Sequence, residues 1–163
     1  MGINMACIVK ENAALIKRLM EGWNYYRKHE VVVGITEESD SQRENGMTNA
    51  SLLYLHENGV PSHNIPARPV LKPAIQDAKT HQKIKKLLRE AAVASMVQGN
   101  KTRCEQLMHK AGMVGRDACK AWITDGGHLA PNAPATIARK GSSLPLVDTG
   151  SMVNSISYAV RKK

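Results

Sequence analysis

His56 and Glu57 stand side by side in an order used by metal-dependent hydrolases. A zinc site of that kind needs a second histidine on the next helical turn, so that both imidazoles reach one metal. Here position 60 is Val60, Gly59 ends the helix, and His63 lies beyond Pro61. The motif is partial. The favoured reading is structural: Glu57 accepts hydrogen bonds from the bend that follows, or pairs with Arg68.

Arg68 is the sharpest single residue. It sits in Ile65-Pro66-Ala67-Arg68-Pro69, where Pro66 and Pro69 fix the direction of the chain. Its planar fork suits bidentate contact with a carboxylate such as Glu57 or Asp148, or with backbone carbonyls. A phosphate is the rival partner, and a buried arginine locking an elbow is the commoner use.

Other chemical arrangements fail on context. Gly141-Ser142-Ser143 is not a nucleophile elbow, and no strand-turn-helix surrounds it. Gly112 and Gly115 fall within a helical pattern, not a phosphate loop. Asp148-Thr149-Gly150 reads as a turn, with Asp148 bonding its own backbone and Gly150 supplying a permissive conformation. Trp23 and Trp122 fall on helix stripes and read as core. No catalytic residue, metal or cofactor is expected.

The elements that must position these residues follow from periodicity. The stretch Leu52–Ala74 reads as helix, stiff elbow, helix. Gly59 and Pro61 stop the first helix; Pro69 and Pro73 are tolerated in a first helical turn. Before it, a short strand is expected over Met5–Val9. Asn12 would then cap an amphipathic helix through Leu15, Ile16, Leu19, Met20, Trp23 and Tyr26, ending near His29. A strand follows over Glu30–Thr36. The acidic segment Glu37–Asn49, with its Asn45-Gly46 turn signal, reads as a mobile loop. Thr48 or Asn49 caps the helix that leads to the elbow.

After the elbow one long helix is expected over Val70–Val97, burying Ile84, Leu87, Leu88, Ala91, Ala92, Ser95 and Met96. Thr102-Arg103-Cys104-Glu105 has the form of a capping box opening a second long helix, in which Ala111, Gly115 and Ala118 permit close helix approach. The two form a helical hairpin. The proline-rich stretch from Asp125 to Leu146 reads as irregular, apart from a turn over Ala135–Arg139. Ile156, Tyr158 and Val160 alternate with small residues in a closing strand. The expected fold class is α+β in a single domain over residues 1–163: a small antiparallel sheet packed on helices, with a long helical hairpin and a basic C-terminal tail.

The 163 residues contain no Phe and carry a net charge of +9. The core must rest on Leu, Ile, Val, Met and Ala. Seven Lys/Arg face eight Asp/Glu up to Leu71, and sixteen face six from Lys72 on, so the excess is confined to the second part. Such a half fits a nucleic-acid surface, an acidic partner, or simply a solubilising face. No stretch reads as a membrane span or a signal peptide. Cys7, Cys104 and Cys119 form no Cys-x-x-Cys, which fits a reducing cytosol.

Three segments together resemble one family: Tyr54-Leu55-His56-Glu57-Asn58-Gly59; Ile65-Pro66-Ala67-Arg68-Pro69-Val70-Leu71-Lys72-Pro73-Ala74; and Leu129–Gly141, followed by Pro145-Leu146-Val147-Asp148-Thr149-Gly150-Ser151-Met152 and Ser155-Ile156. In order and spacing, from about Glu30 to the C-terminus, the chain resembles the neck or tail-completion proteins of tailed bacteriophages, also labelled virion morphogenesis or minor tail proteins. It departs where the family usually has an aromatic in place of Val70, and often one in place of Asn58.

The resemblance implies a structural subunit without enzymatic activity. It implies a homo-oligomeric ring at the head–tail junction, between head-completion or connector proteins and tail terminator or tube proteins, with genomic DNA passing through the lumen. The location implied is the virion neck, with assembly in the host cytoplasm. His56, Glu57, Gly59, Ile65, Pro66, Arg68, Pro69, Pro73, Asp148, Thr149 and Gly150 become structural or assembly positions. The Glu37–Asn49 loop and the closing strand are expected to order against neighbouring rings. The alternatives are a basic nucleic-acid-binding module and, last, a small metal-dependent hydrolase built on His56 and Glu57.

Overall fold

Two of the three expected strands pair antiparallel and close the chain on itself. In the computed structural model, which describes residues 5–43 and 46–163, β1 (His29–Ile35) and β2 (Ile156–Lys162) form one two-stranded sheet. Its register sets Val31 opposite Val160, Val33 opposite Tyr158 and Ile35 opposite Ile156. Directly opposed residues share a face, so these six make one apolar side. A two-stranded sheet is marginal alone and needs a helix against that side.

The covering helix is α5 (Lys101–Asp125), and it comes close because it carries glycine where the sheet crosses it. A Cβ on Gly112 would lie 2.2 Å from Cδ2 of Tyr158, and one on Gly115 would lie 2.8 Å from Cγ2 of Val33. Gly112 and Gly115 therefore admit the sheet, where the sequence pointed to a neighbouring helix for Gly115. The hairpin partner, α4 (Ala78–Met96), packs on another side of α5 through Ala91, Ala94, Cys104, Leu107 and Met108. The fold is thus α+β, a small antiparallel sheet packed on helices with α4 and α5 as the long hairpin.

Several boundaries differ from the sequence reading. Met5–Val9 is not a strand: α1 runs Met5–Arg27, so Asn12 lies inside it and is no cap. Tyr26, at the end of its apolar stripe, packs against the cluster between α4 and α5, but most of the stripe does not face the core. Ile16, Met20 and Trp23 are about half exposed, and the face against α4 is centred on Gly22. There Ser95 Oγ donates to the Gly22 carbonyl at 2.9 Å, and a Cβ on Gly22 would lie 2.2 Å from the Ser95 carbonyl oxygen. The glycine brings the two backbones together, and with them the hydrogen bond that buried Ser95 requires.

The helix expected over Val70–Val97 is two, α3 (Leu71–Gln76) and α4. Asp77 breaks them apart in an extended conformation, and its carboxylate accepts the backbone N–H groups of Lys79 and Thr80, each at 3.1 Å. Those bonds, Thr80's foremost, hold its carboxyl below the usual range. The capping box also gives way. α5 begins at Lys101, and Asn100 Oδ1 accepts the N–H of Arg103 at 2.9 Å, which places Thr102 inside the helix. Gly126, left-handed, ends α5.

Two short helices complete the chain. α6 (Pro134–Lys140) occupies the expected turn, and α7 (Ser151–Ser155), which the sequence did not announce, leads directly into β2. A second cluster joins α3, the end of α5, α7 and the sheet: Val70, Ala74, Cys119, Ile123, Leu129, Val153 and Ile156. Burial pushes the Cys119 thiol up to about 12 and raises that of Cys104, so both behave as apolar fillers.

Candidate functional site: the elbow and its pocket

The elbow is a hydrogen-bonded device. α2 (Asn49–Asn58) starts as expected, with Thr48 Oγ1 accepting the Ser51 N–H at 3.1 Å. It stops at Gly59, whose φ of 71° lies in the region that favours glycine. A Cβ there would also sit 2.7 Å from the backbone nitrogen of Ala67. Pro61–His63 forms a 3-10 turn, and Val60 and Ile65 then exchange backbone hydrogen bonds of 2.8 and 3.1 Å. The returning chain is pinned to the end of α2 by the Arg68 N–H, which donates to the His56 carbonyl at 2.6 Å.

Glu57 does what its position invited. Its Oε1 accepts the N–H groups of Val70 at 2.8 Å and Leu71 at 2.6 Å. These open α3, and no side chain of α3's own N-cap residue, Val70, serves them. A carboxylate at a helix start also opposes the positive end of the helix dipole. Pro73 falls within that first turn, where its missing N–H costs nothing, while Pro69 precedes it.

Arg68 is buried, and burial pulls its pKa below the usual arginine value. Its fork reaches neither carboxylate named from the sequence. Nε donates to the Ala130 carbonyl at 2.7 Å and Nη2 to the Pro131 carbonyl at 2.9 Å. The expected contact with backbone carbonyls is made; pairing with Glu57 or Asp148 is not. Glu57 is engaged with α3, and Asp148 is exposed. The turn at 148–150 is held instead by Thr149 Oγ1, which accepts the Ser151 N–H at 3.3 Å, and by Gly150 at φ 79°.

Around this joint lies a pocket of about 630 Å³, lined among others by Leu52, His56, Ile65, Arg68, Arg139 and Asp148. It brings together residues from α2, the elbow, α6 and the turn before α7. Ile65 and Pro66 form part of its wall. His56 Nδ1 is buried with no hydrogen-bond partner among the described residues. Desolvation lowers the His56 pKa, helped by the charges of Arg68, Arg43 and Lys140. The ring is neutral at neutral pH.

Asn49, offered by the sequence only as a cap of α2, ties the site together. Asn49, fully buried, directs Nδ2 at the hydroxyls of Ser41 at 2.7 Å, Ser155 at 2.9 Å and Ser151 at 3.0 Å. Its Oδ1 accepts from Arg43 Nε at 3.1 Å. One amide thus joins the loop, α2 and α7. No local pattern announces it, because its partners lie up to 106 residues away. The loop carries further order: Gln42 and Thr48 form a β-bridge, and Ser39 closes a turn on Thr36. Of the expected Asn45-Gly46 turn, Asn45 lies outside the described residues.

Among the described residues, no group of three His, Cys, Asp or Glu side chains could hold a metal ion, and no helix is long and apolar enough to cross a membrane. Trp122 is half-buried, packs against the second core cluster as expected, and stacks on His128 with centroids 4.3 Å apart; Trp23 is exposed, against the expectation that it belongs to the core. Compared with models of known protein families, with curated proteins and with solved structures, the chain gives no match.

Proposed function

We propose that this chain is a structural subunit of a tailed bacteriophage, assembling into a ring at the junction of head and tail. One observation carries the reading beyond the motifs. Two of the segments behind the resemblance are bonded to each other through residues more than sixty positions apart: Arg68 of the Ile-Pro-Ala-Arg-Pro segment donates both its side-chain hydrogen bonds to Ala130 and Pro131 of the Leu-Ala-Pro-Asn segment. The signature is therefore one joint, and it supports a role in holding shape.

The uncovered stripe of α1 supports self-association. Ile16, Met20 and Trp23 recur at helical spacing and are 56%, 60% and 50% exposed. Exposed apolar surface on one helix face fits burial against another molecule. In a ring each subunit would bury one surface against a different surface of the next, and the rotation must close. Its neighbours along the axis would be head-completion or connector proteins and tail terminator or tube proteins, with DNA crossing the lumen. Electron micrographs and sedimentation of the purified chain should show closed rings; a monomer at every accessible concentration would overturn the reading.

A second reading is favoured by α4. His81, Lys85, Lys86 and Arg89 line a shallow groove on its outer side, with Glu90 the one carboxylate beside them. A nucleic-acid-binding module would use this surface, and its affinity for duplex DNA would fall steeply with salt. Ring formation without such binding decides for the first reading.

A further inference from the structure

The pocket at the elbow is electrostatically unbalanced. Arg43, Arg68, Arg139 and Lys140 line it against a single carboxylate, Asp148. Among the described residues none of these four cations is in an ion pair. Arg68 and Lys140 donate to neutral carbonyls and Arg43 to the amide of Asn49, so their charge is not cancelled. Arg139 is exposed at the end of α6. Between the cations the walls are apolar, from Leu52, Ile65, Leu146 and Met152. A strand of nucleic acid would want aromatic platforms for its bases, and His56 is the one aromatic ring in this lining. Cations over apolar walls suit a short acidic stretch of protein.

Such a stretch is present in the chain itself. At Thr36–Asp40 the N–H groups of Ser39 and Asp40 both donate to the Thr36 carbonyl, at 3.0 and 2.9 Å, and Ser39 Oγ accepts the Thr36 N–H at 3.0 Å. Glu37 and Glu38 are held at the tip, both exposed, and among the described residues neither is in an ion pair. Asp40 is turned inward, accepting the N–H groups of Ser41 and Ala50. The tip therefore offers two carboxylates on a hydrogen-bonded turn.

We propose that the elbow pocket is the socket for the Glu37–Glu38 turn of a second copy of this chain. The proposal rests on the reading of the protein as a self-assembling subunit, and it names the surface by which neighbours meet. Opposed charges at such a contact fix register and steer encounter more than they add raw affinity. The apolar walls supply surface to exclude water.

The test uses two variants of the full chain, Glu37→Lys/Glu38→Lys and Arg139→Glu, followed by sedimentation velocity at low and high salt. All three positions are exposed, and Arg139→Gln serves as a milder second variant should the charge reversal disturb folding. Each variant alone should need roughly tenfold or more protein to assemble, and an equimolar mixture should recover most of the loss, because opposite charges again meet between chains. If the wild-type chain assembles and neither variant shifts it, the socket is refuted while the subunit reading stands. If the wild-type chain stays monomeric, both fall. If Arg139→Glu leaves assembly intact but removes binding to a short DNA duplex, the pocket takes phosphate and the proposal is overturned.

Discussion

Glu57 and Val70 are joined across the elbow: the carboxylate of one, in the last turn of α2, receives the backbone N–H of the other at 2.8 Å, at the mouth of α3. Val70 is wholly buried, so water is a poor substitute for that acceptor. Replacing Glu57 with Ala should destabilise the chain by about 2 kcal/mol, the upper end for a lost N-cap. Glu57→Gln keeps an oxygen at the same place without its charge and should recover about half of that. Urea unfolding of the three proteins measures both. An Ala variant as stable as wild type would mean that the start of α3 is satisfied by other means.

Arg68 tests the other side of the joint. Two carbonyls of consecutive residues, Ala130 and Pro131, are bridged by one planar fork. Arg68→Ala should cost on the order of 3 kcal/mol, since two charge-assisted bonds are lost and their acceptors are left without that donor. Lysine keeps the charge but not the fork, so Arg68→Lys should fall nearer to Ala than to wild type. Faster hydrogen exchange around residues 129–140 should accompany the change. Uniform exchange in the variant and in wild type would show that the arginine is not what holds this segment.

These two residues also show how far the sequence could be read. The prolines around Arg68 and the stop at Gly59 are local signals, and local signals gave the elbow, the two strands and the hairpin. The acceptor for Arg68 was legible as a class, backbone or carboxylate, because a planar donor admits few partners. Which of them it meets depends on a contact spanning sixty-two residues, and no periodicity encodes that. The failures share a cause. The apolar stripe of α1 predicted a buried face, yet Ile16, Met20 and Trp23 are about half exposed, and Gly22, which carries no hydrophobicity at all, makes the closest approach to α4. Asp77 looked like one polar residue in a long helix, but its side chain could serve two N–H groups better as a cap. Asn49 was seen as a candidate cap and not as the buried hub that it is.

Gly112 carries the close approach of helix and sheet. In a helix interior Ala is favoured over Gly by about 1 kcal/mol, so Gly112→Ala would stabilise an isolated helix. Here the new methyl would meet the ring of Tyr158 at 2.2 Å. Overpacking of this kind typically costs about 1–3 kcal/mol, and against the helix gain we expect a net loss of about 1 kcal/mol. The sign is the informative part. Pairing the change with Tyr158→Val should relieve the clash, leaving the double variant more stable than the sum of the two single losses, because residues in contact do not act additively. Thermal melts of the four proteins complete the cycle. Strict additivity would place the strain somewhere other than this pair.

His56 gives the fold a pH dependence of predictable sign. Its folded pKa is lowered by burial first, and then by Arg68, Arg43 and Lys140; Asp148 is the one carboxylate lining the same pocket. The unfolded chain binds a proton near the ordinary histidine value of about 6.5, while the folded chain resists until the pH is lower. Between those two values the unfolded state holds more protons, so stability falls as pH falls through that window, by at most about 1.4 kcal/mol per pH unit for this one group. Above it the ring is neutral in both states and contributes no slope. His56→Gln removes the titration and should flatten the stability profile between neutral pH and pH 5 by that share. Urea midpoints taken across this range, for wild type and variant, give the comparison. Parallel profiles would mean that His56 takes up its proton as readily folded as unfolded, and that the buried Nδ1 finds an acceptor when it does.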